Sequence, residues 1–179
     1  MGWNAAQLAE AYGNSPELHG RVHLVNHVPR SARPGHLYVL GGVRRQPTFE
    51  QLARLSQHSR HAEAALYQIN GVYLIQMGPA GVAVVTVFIP RRQDGIESAR
   101  WIAHTHPLEQ ENWQQGIAHG PTDADRLALG AMNRSWGQSE STLLVCRRGR
   151  IERTVEFTLE QDDAASAFSG GQLWTPDPH

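Results

Sequence analysis

The apolar positions of this chain change between helical and extended spacing, and these changes divide it into elements. Phe49, Leu52 and Leu55 recur at the three- and four-residue steps of an amphipathic helix. Thr48 precedes them and is followed three residues later by a glutamine, which is the pattern of a capping box. We therefore predict a helix that begins at Thr48 and ends at about residues 60–63.

A hairpin is predicted directly after this helix. Two apolar runs, 64–69 and 72–77, flank Asn70-Gly71, and this pair favours a type I′ turn because both residues tolerate a positive φ. The next run, 82–89, is rich in β-branched residues and has turn residues at both ends, so it is predicted to be a buried strand.

The remaining elements are predicted in the same way, from apolar periodicity and turn residues. They are a helix within residues 1–20, strands at 22–28, 36–43, 100–105, 141–147 and 151–159, and a helix at about 123–136. This order predicts a single α/β domain, a mixed β-sheet with flanking helices. Within it we expect an N-terminal extension at 1–45, a core at 46–160 and a flexible tail at 161–179.

Length and charge limit the classes of partner. The chain has 179 residues, of which 40% are hydrophobic and 18% charged, as expected of one globular domain. Its formal net charge of −1 offers no overall basic field, so neither nucleic acid nor an anionic membrane surface is an expected partner. The longest apolar stretch, 81–90, is too short to span a bilayer.

The single cysteine and the N-terminus restrict the chemistry and the location. With Cys146 alone, neither an internal disulfide nor a cysteine-based zinc site is possible, and its apolar neighbours predict a buried strand residue. Residues 1–6 have neither a basic start nor an apolar core, so no secretory signal is visible. We expect a cytoplasmic protein, and delivery by a specialised secretion system would leave no trace here.

The strongest candidate for chemistry is the pair His104 and His106, at the end of a predicted strand. In an extended chain, residues two apart point to the same face about 6.5–7 Å apart, which lets both imidazoles reach one ion. Pro107 follows and is predicted to end the pairing of the strand. The alternative interpretation is two polar residues on an exposed strand face.

A third candidate ligand lies in the helix that follows. Thr122 is followed three residues later by Asp125, which places the carboxylate in the first turn of the predicted helix, where it could face the histidine pair. Two nitrogens and one oxygen leave a fourth position open, as in catalytic zinc sites. The same spacing also fits a capping box, which many helices have without any metal.

The segments His104-Thr105-His106-Pro107 and Pro121-Thr122-Asp123-Ala124-Asp125 together resemble the motif of JAMM (MPN- or JAB-type) zinc metallopeptidases and isopeptidases, in a bacterial-type form. The resemblance implies a cytidine-deaminase-like α/β fold, Zn²⁺ held by the two histidines and Asp125, and an upstream glutamate as general acid and base. Glu63 lies at the predicted start of a strand, where the family has this glutamate. Glu50 is the alternative, although the helix dipole explains a carboxylate in a first turn.

The same resemblance implies hydrolysis of a peptide or isopeptide bond. Glu63 would take a proton from the attacking water and pass it to the leaving amine, and the Thr122 hydroxyl would stabilise the oxyanion. The substrate is expected to be a protein or peptide, either a ubiquitin-like conjugate or the target of a bacterial effector or toxin-associated peptidase. Thr122 departs from the usual serine of the family, and its methyl group would crowd this pocket.

Two further points are left open by the sequence. The loop between His106 and Thr122 is longer than the commonest form and contains Trp113, so it is either a substrate-binding flap or a tolerated insertion. The chain is either an active hydrolase or a non-catalytic MPN-like interaction module. A zinc nucleobase deaminase is excluded, because its two-cysteine ligand set cannot be built with one cysteine.

Overall fold

The fold combines a mixed β-sheet with helices on both of its faces. A computed structural model describes residues 1–79, 90–109 and 119–160. Within these residues the helices are α1 (Ala5–Gly13), α2 (Phe49–His58) and α3 (Asp123–Trp136), and the strands are β1 (Val22–Val25), β2 (Leu37–Leu40), β3 (Ala64–Ile69), β4 (Val72–Met77), β5 (Ala99–Pro107), β6 (Glu140–Arg147) and β7 (Arg150–Thr158). The predicted α/β class is confirmed.

The strands of the described residues form one sheet in the order β1-β2-β4-β3-β5-β6-β7. The pairs β1–β2 and β5–β6 are parallel, and the other neighbours are antiparallel. The N-terminal extension is therefore part of the same sheet, because β2 pairs with β4. Helix α3 connects β5 to its parallel neighbour β6, so the carboxyl end of β5 lies beside the start of a helix, a place where α/β proteins commonly bind ligands.

Each face of the sheet has its own apolar core. Helices α1 and α3 cover one face, where Leu8, Leu129 and Met132 pack against the buried rings of Tyr67 and Trp101. Helix α2 covers the opposite face and contributes buried leucines to a second cluster. Truncating a buried leucine or methionine to alanine typically costs about 2–5 kcal/mol. Packing of this strength fixes α3, and with it the residues of its first turn, against the sheet.

The β3–β4 hairpin agrees with the predicted type I′ turn. Asn70 and Gly71 have φ values of 51° and 81°, so both central residues are left-handed. The Asn70 side chain also holds the N-terminal segment: its Nδ2 donates to the carbonyl oxygens of Trp3, at 3.1 Å, and Gly95, at 2.7 Å. The turn residue thus joins three separate parts of the chain.

Three predicted boundaries are corrected by the structure. The strands expected at 22–28 and 36–43 are four residues each, because the parallel pairing ends at Val25 and Leu40. The Gly41 N–H still donates to the Val25 carbonyl oxygen at 2.8 Å, after which the chain turns. The helix expected to reach residues 60–63 ends at His58, and the two residues before Ala62 have positive φ values of 61° and 56°.

Pro107 does not end the pairing of its strand, contrary to prediction. It lies within β5 opposite Cys146, and the Leu108 N–H donates to the Cys146 carbonyl oxygen at 2.9 Å. Because backbone groups alternate in direction along a strand, the nitrogen of Pro107 faces away from β6. Proline is tolerated there because no donor is needed on that side.

Several predictions fall outside the described residues. They are the strand at 82–89, Trp113 with most of the loop around it, and the tail at 161–179.

In the described part of the chain, no helix combines the length and the apolar character needed to cross a membrane.

Candidate metal centre

Strand β5 delivers two buried imidazoles to one point. His104 and His106 are 1% and 0% exposed, and their Nε2 atoms lie 3.2 Å apart. The His104 ring stacks on Trp101, with 4.8 Å between ring centroids, and meets Phe157 edge-on at 5.9 Å. No hydrogen-bond partner of its Nδ1 is found among the described residues, so aromatic packing and the contacts of its Nε2 orient this ring. The exposed-face interpretation of the pair is wrong.

The first turn of α3 brings a carboxylate to the same point. Asp125 is fully buried; its Oδ1 lies 3.0 Å from the Nε2 of His104, and its Oδ2 lies 3.2 Å from the Nε2 of His106. The helix begins here because Thr122 and Asp125 form a reciprocal capping box. The Asp125 N–H donates to the Thr122 hydroxyl oxygen at 3.1 Å, and the Thr122 N–H donates to the Asp125 carboxylate at 2.9 Å. One carboxylate thus caps the helix and faces both histidines.

Glu63, immediately before β3, supplies a second carboxylate. It is 3% exposed, and its Oε1 lies 3.7 Å from the Nε2 of His106. Its backbone carbonyl accepts a hydrogen bond from the Gly78 N–H at 2.8 Å, which fixes this residue to the end of β4. Its Oε2 has no hydrogen-bond partner within the described residues. A buried carboxylate oxygen without a donor is costly unless a cation or a ligand approaches it.

The donor geometry fits a metal ion. Glu63, His104 and His106 each offer one ligand atom, and these atoms all lie within 4.8 Å of one another. The contacts of Asp125 with both imidazoles bring a fourth group to the same place. Two nitrogens bound to one tetrahedral zinc ion at 2.0–2.1 Å would lie about 3.3 Å apart, close to the separation observed between the histidines. The buried group could therefore hold a metal ion.

The electrostatics of the centre differ between its two carboxylates. Burial, and then the negative charge of Asp125, raise the pKa of Glu63 well above its usual value. Burial also opposes ionisation of Asp125, but the neighbouring imidazoles of His104 and His106 outweigh it and hold its pKa well below the usual value. Burial lowers the pKa of His104, although Asp125 opposes this effect. The carboxyl group of Asp125 is thus anionic, and that of Glu63 readily holds a proton.

Glu50 and Glu97 lie away from the two histidines. Glu50 is in the first turn of α2, which packs on the opposite face of the sheet. Glu97 precedes β5. Its side chain is 66% exposed and lies 3.7 Å from the N-terminal amine.

Cys146 is buried as predicted. Burial, followed by nearby carboxylates, raises its thiol pKa to about 12, so it is not a thiolate ligand.

One residue of the centre had not been singled out from the sequence. Thr105, between the two histidines, is fully buried, and its hydroxyl accepts a hydrogen bond from the Ala64 N–H at 2.8 Å. A small hydroxyl residue inside a His-x-His motif is the signal that could have indicated it.

Comparisons of the chain with models of protein families, with curated proteins and with solved structures give no match. Any functional assignment must therefore start from this geometry.

Proposed function

We propose that this chain is a zinc-dependent hydrolase of JAMM type that cleaves a peptide or isopeptide bond. The observation that carries the proposal is the convergence of His104, His106 and Asp125, with pairwise contacts of 3.0–3.2 Å, beside a protonatable Glu63. The likeness to the JAMM motif supports the proposal, because the residues that carry the motif are the ones that meet in space. An MPN-type fold is part of the same proposal.

Zinc is the metal that suits this donor set best. Two imidazole nitrogens and one carboxylate oxygen form a set typical of catalytic zinc sites, which keep a fourth position open. A site for Mg²⁺ or Ca²⁺ would instead be built mainly from oxygen ligands. When bound, zinc polarises the scissile carbonyl group and lowers the pKa of a coordinated water.

The protein's own groups would then carry the proton transfers. Glu63, whose pKa is raised by burial, accepts a proton from the attacking water and returns it to the leaving amine. The Thr122 hydroxyl uses its oxygen to accept the Asp125 N–H, so its own proton is free to donate to the developing oxyanion. His104, His106 and Asp125 hold the metal, and their burial excludes competing water from the ligand side.

The proposed substrate is a protein or peptide. An amide bond is the bond that the JAMM resemblance implies, and a lysine side chain joined to a ubiquitin-like C-terminus is one form of it. The alternative substrate is a protein cleaved by a bacterial effector or toxin-associated peptidase. The chemistry at the metal would be the same in both cases, since each reaction releases an amine from a carbonyl carbon.

The decisive experiment measures zinc content and hydrolysis separately. The full chain would be purified, supplied with Zn²⁺ and dialysed, its metal content measured by mass spectrometry, and its activity tested on lysine-linked ubiquitin-like conjugates and a peptide library. We expect about one zinc per chain and measurable turnover. Glu63→Gln should retain the metal and lose about 10²–10⁴-fold in rate. Glu50→Gln makes the same change on the other face of the sheet. It should leave the zinc content and the rate of hydrolysis unchanged.

Two outcomes would overturn the proposal in different ways. A chain that takes up no zinc at all would remove the metal centre. A chain that binds stoichiometric zinc but cleaves none of these substrates, with Glu63→Gln indistinguishable from wild type, would favour the non-catalytic MPN-like module.

A further inference from the structure

A second region of concentrated charge lies outside the metal centre, between α2 and the loop that precedes β2. Two adjoining clefts of about 410 and 650 Å³ share His58 in their walls. We call them together the basic cleft. Their cationic or protonatable wall residues are Arg30, Arg33, His36, Arg54, His58 and Arg60.

The basic cleft has no counter-charge of its own. Neither wall contains an aspartate or glutamate. Among the described residues, no carboxylate lies within ion-pair distance of Arg30, Arg33, Arg54 or Arg60. The protein as a whole is nearly neutral, with a net charge of −1. Four unpaired guanidinium groups in one concave region create a local positive potential that attracts anions.

Two imidazoles lie beside the arginines of the cleft. The Nε2 of His23 and the Nδ1 of His36 lie 2.8 Å apart in a hydrogen bond, and the His23 ring stacks on the rings of both His36 and Tyr38. Burial, followed by the charges of His23, Arg33 and Arg21, lowers the pKa of His36. The charges of Arg33 and Arg21 thus act at the ring of His36, beside the cleft.

Short backbone links join the basic cleft to the metal centre. The Gly35 N–H donates to the Gly78 carbonyl oxygen at 3.0 Å, and the Gly78 N–H donates to the Glu63 carbonyl oxygen at 2.8 Å. Ser59, which lies four residues before Glu63, accepts the Ala32 N–H with its hydroxyl oxygen at 2.9 Å. These hydrogen bonds connect the backbone beside the cleft to the segment that carries Glu63.

We propose that the basic cleft binds an acidic segment of the polypeptide substrate, an inference that rests on the proposed function. The positive groups are spread over two adjoining clefts, which suits an extended chain with several carboxylates better than a single phosphate. Among phenylalanine, tyrosine and tryptophan, the walls contain only Tyr38, which is 7% exposed. Single-stranded nucleic acid is usually held by exposed aromatic side chains on which bases stack, and the cleft offers none.

Direct binding tests this inference without any need for turnover. The probe is a fluorescently labelled hexaglutamate peptide, titrated with the zinc-supplied full chain and followed by anisotropy. The test variant is Arg33→Glu/Arg54→Glu, whose exposed side chains lie in different walls of the cleft. The matched control is Arg100→Glu/Arg134→Glu, which makes the same charge change at exposed positions of β5 and α3. We expect the test variant to weaken binding at least about tenfold, and the control to stay within about twofold.

Three results would overturn the inference. These are no binding of the peptide, equal weakening by the test and control variants, and binding of a single-stranded oligonucleotide in preference to the peptide. Each is independent of the metal centre. Failed peptide binding together with intact, Glu63-dependent hydrolysis removes only this inference. Peptide binding by a chain that takes up no zinc removes the proposed hydrolase, and with it the role of the bound segment as substrate.

Discussion

The hydroxyl of Thr105 accepts the backbone N–H of Ala64 at 2.8 Å, and this bond joins the two halves of the candidate site. Thr105 lies between the two histidines on β5, and Ala64 directly follows Glu63 at the start of β3. Both residues are fully buried. The bond therefore sets the distance between the imidazoles that would hold the metal and the carboxyl group that would move the proton.

Replacing Thr105 by valine should loosen this arrangement. Valine keeps the shape but leaves the Ala64 N–H buried without an acceptor, which costs about 1–3 kcal/mol. Urea unfolding should show this loss of stability. Zinc uptake should persist, because the histidines and Asp125 remain, while kcat should fall because Glu63 is no longer held in place.

The matched control is Thr105→Ser, which keeps the hydroxyl group and removes only a methyl group. It should recover most of the kcat lost by the valine variant, even though the removed methyl group leaves a small cavity. If serine and valine reduce kcat equally, packing by the methyl group, and not the hydrogen bond, positions Glu63.

Zinc should stabilise the folded chain. A ligand that binds only the native state adds about 2.7 kcal/mol when present at a hundred times its Kd. For a domain of this size, that corresponds to a rise in Tm of roughly 5–11 °C. Differential scanning fluorimetry with Zn²⁺, and again after excess chelator, measures the rise and its reversal.

The control for the zinc effect is Asp125→Asn. The amide keeps an oxygen that can accept the Thr122 N–H, so the capping of α3 is largely preserved. It removes the anionic ligand that contacts both imidazoles. We expect a folded variant whose Tm responds weakly to zinc, and an undiminished response would exclude Asp125 as a ligand.

Elements with strong local signals were predictable from the sequence. The capping box at Thr48 starts α2, the Asn70-Gly71 pair turns the β3–β4 hairpin, and α3 has the predicted bounds. Local chemistry decides these features, so a single sequence carries them. The parallel pairings β1–β2 and β5–β6 were not predictable, because they depend on contacts between segments far apart in the chain.

The candidate site was predictable as a set of residue types, but not as a geometry. Spacing alone placed His104 and His106 on one face of a strand, and a capping pattern placed Asp125 in the first turn of a helix. Their meeting depends on how α3 packs against the sheet through Leu129 and Met132. The choice of Glu63 over Glu50 likewise depends on which face of the sheet each element covers.

In the metal-free protein, Glu63 should make the stability of the folded state depend on pH. Its pKa in the folded state is raised above the value of about 4.3 in an unfolded chain. Above pH 4.3 the unfolded state has therefore released a proton that the folded state still holds, so rising pH favours unfolding. Glu63→Gln cannot ionise. Its stability relative to wild type should thus increase with pH from about 4.3 upward, by at most about 1.4 kcal/mol per pH unit.

Urea unfolding of chelator-treated protein at several pH values measures this difference. The comparison variant is Glu97→Gln, because Glu97 is largely exposed at the opposite end of β5. Its stability relative to wild type should change little with pH. Added zinc should reduce the effect of Glu63→Gln, because a nearby cation favours the ionised carboxylate. If the stability of Glu63→Gln relative to wild type decreased with rising pH, the pKa of Glu63 would not be raised in the folded state.

Thr122 gives a test that separates capping from catalysis. Thr122→Ala removes the hydroxyl that accepts the Asp125 N–H, so α3 should lose about 0.5–2 kcal/mol of stability. If the hydroxyl also donates to the oxyanion, hydrolysis should fall by about 10²–10³-fold in kcat, more than the loss of folded protein explains. Thr122→Ser should restore both properties, since serine caps a helix at least as well and removes the methyl group from the pocket. An alanine variant that is less stable but retains its kcat, measured under conditions where it is fully folded and zinc-bound, would restrict Thr122 to the capping of α3.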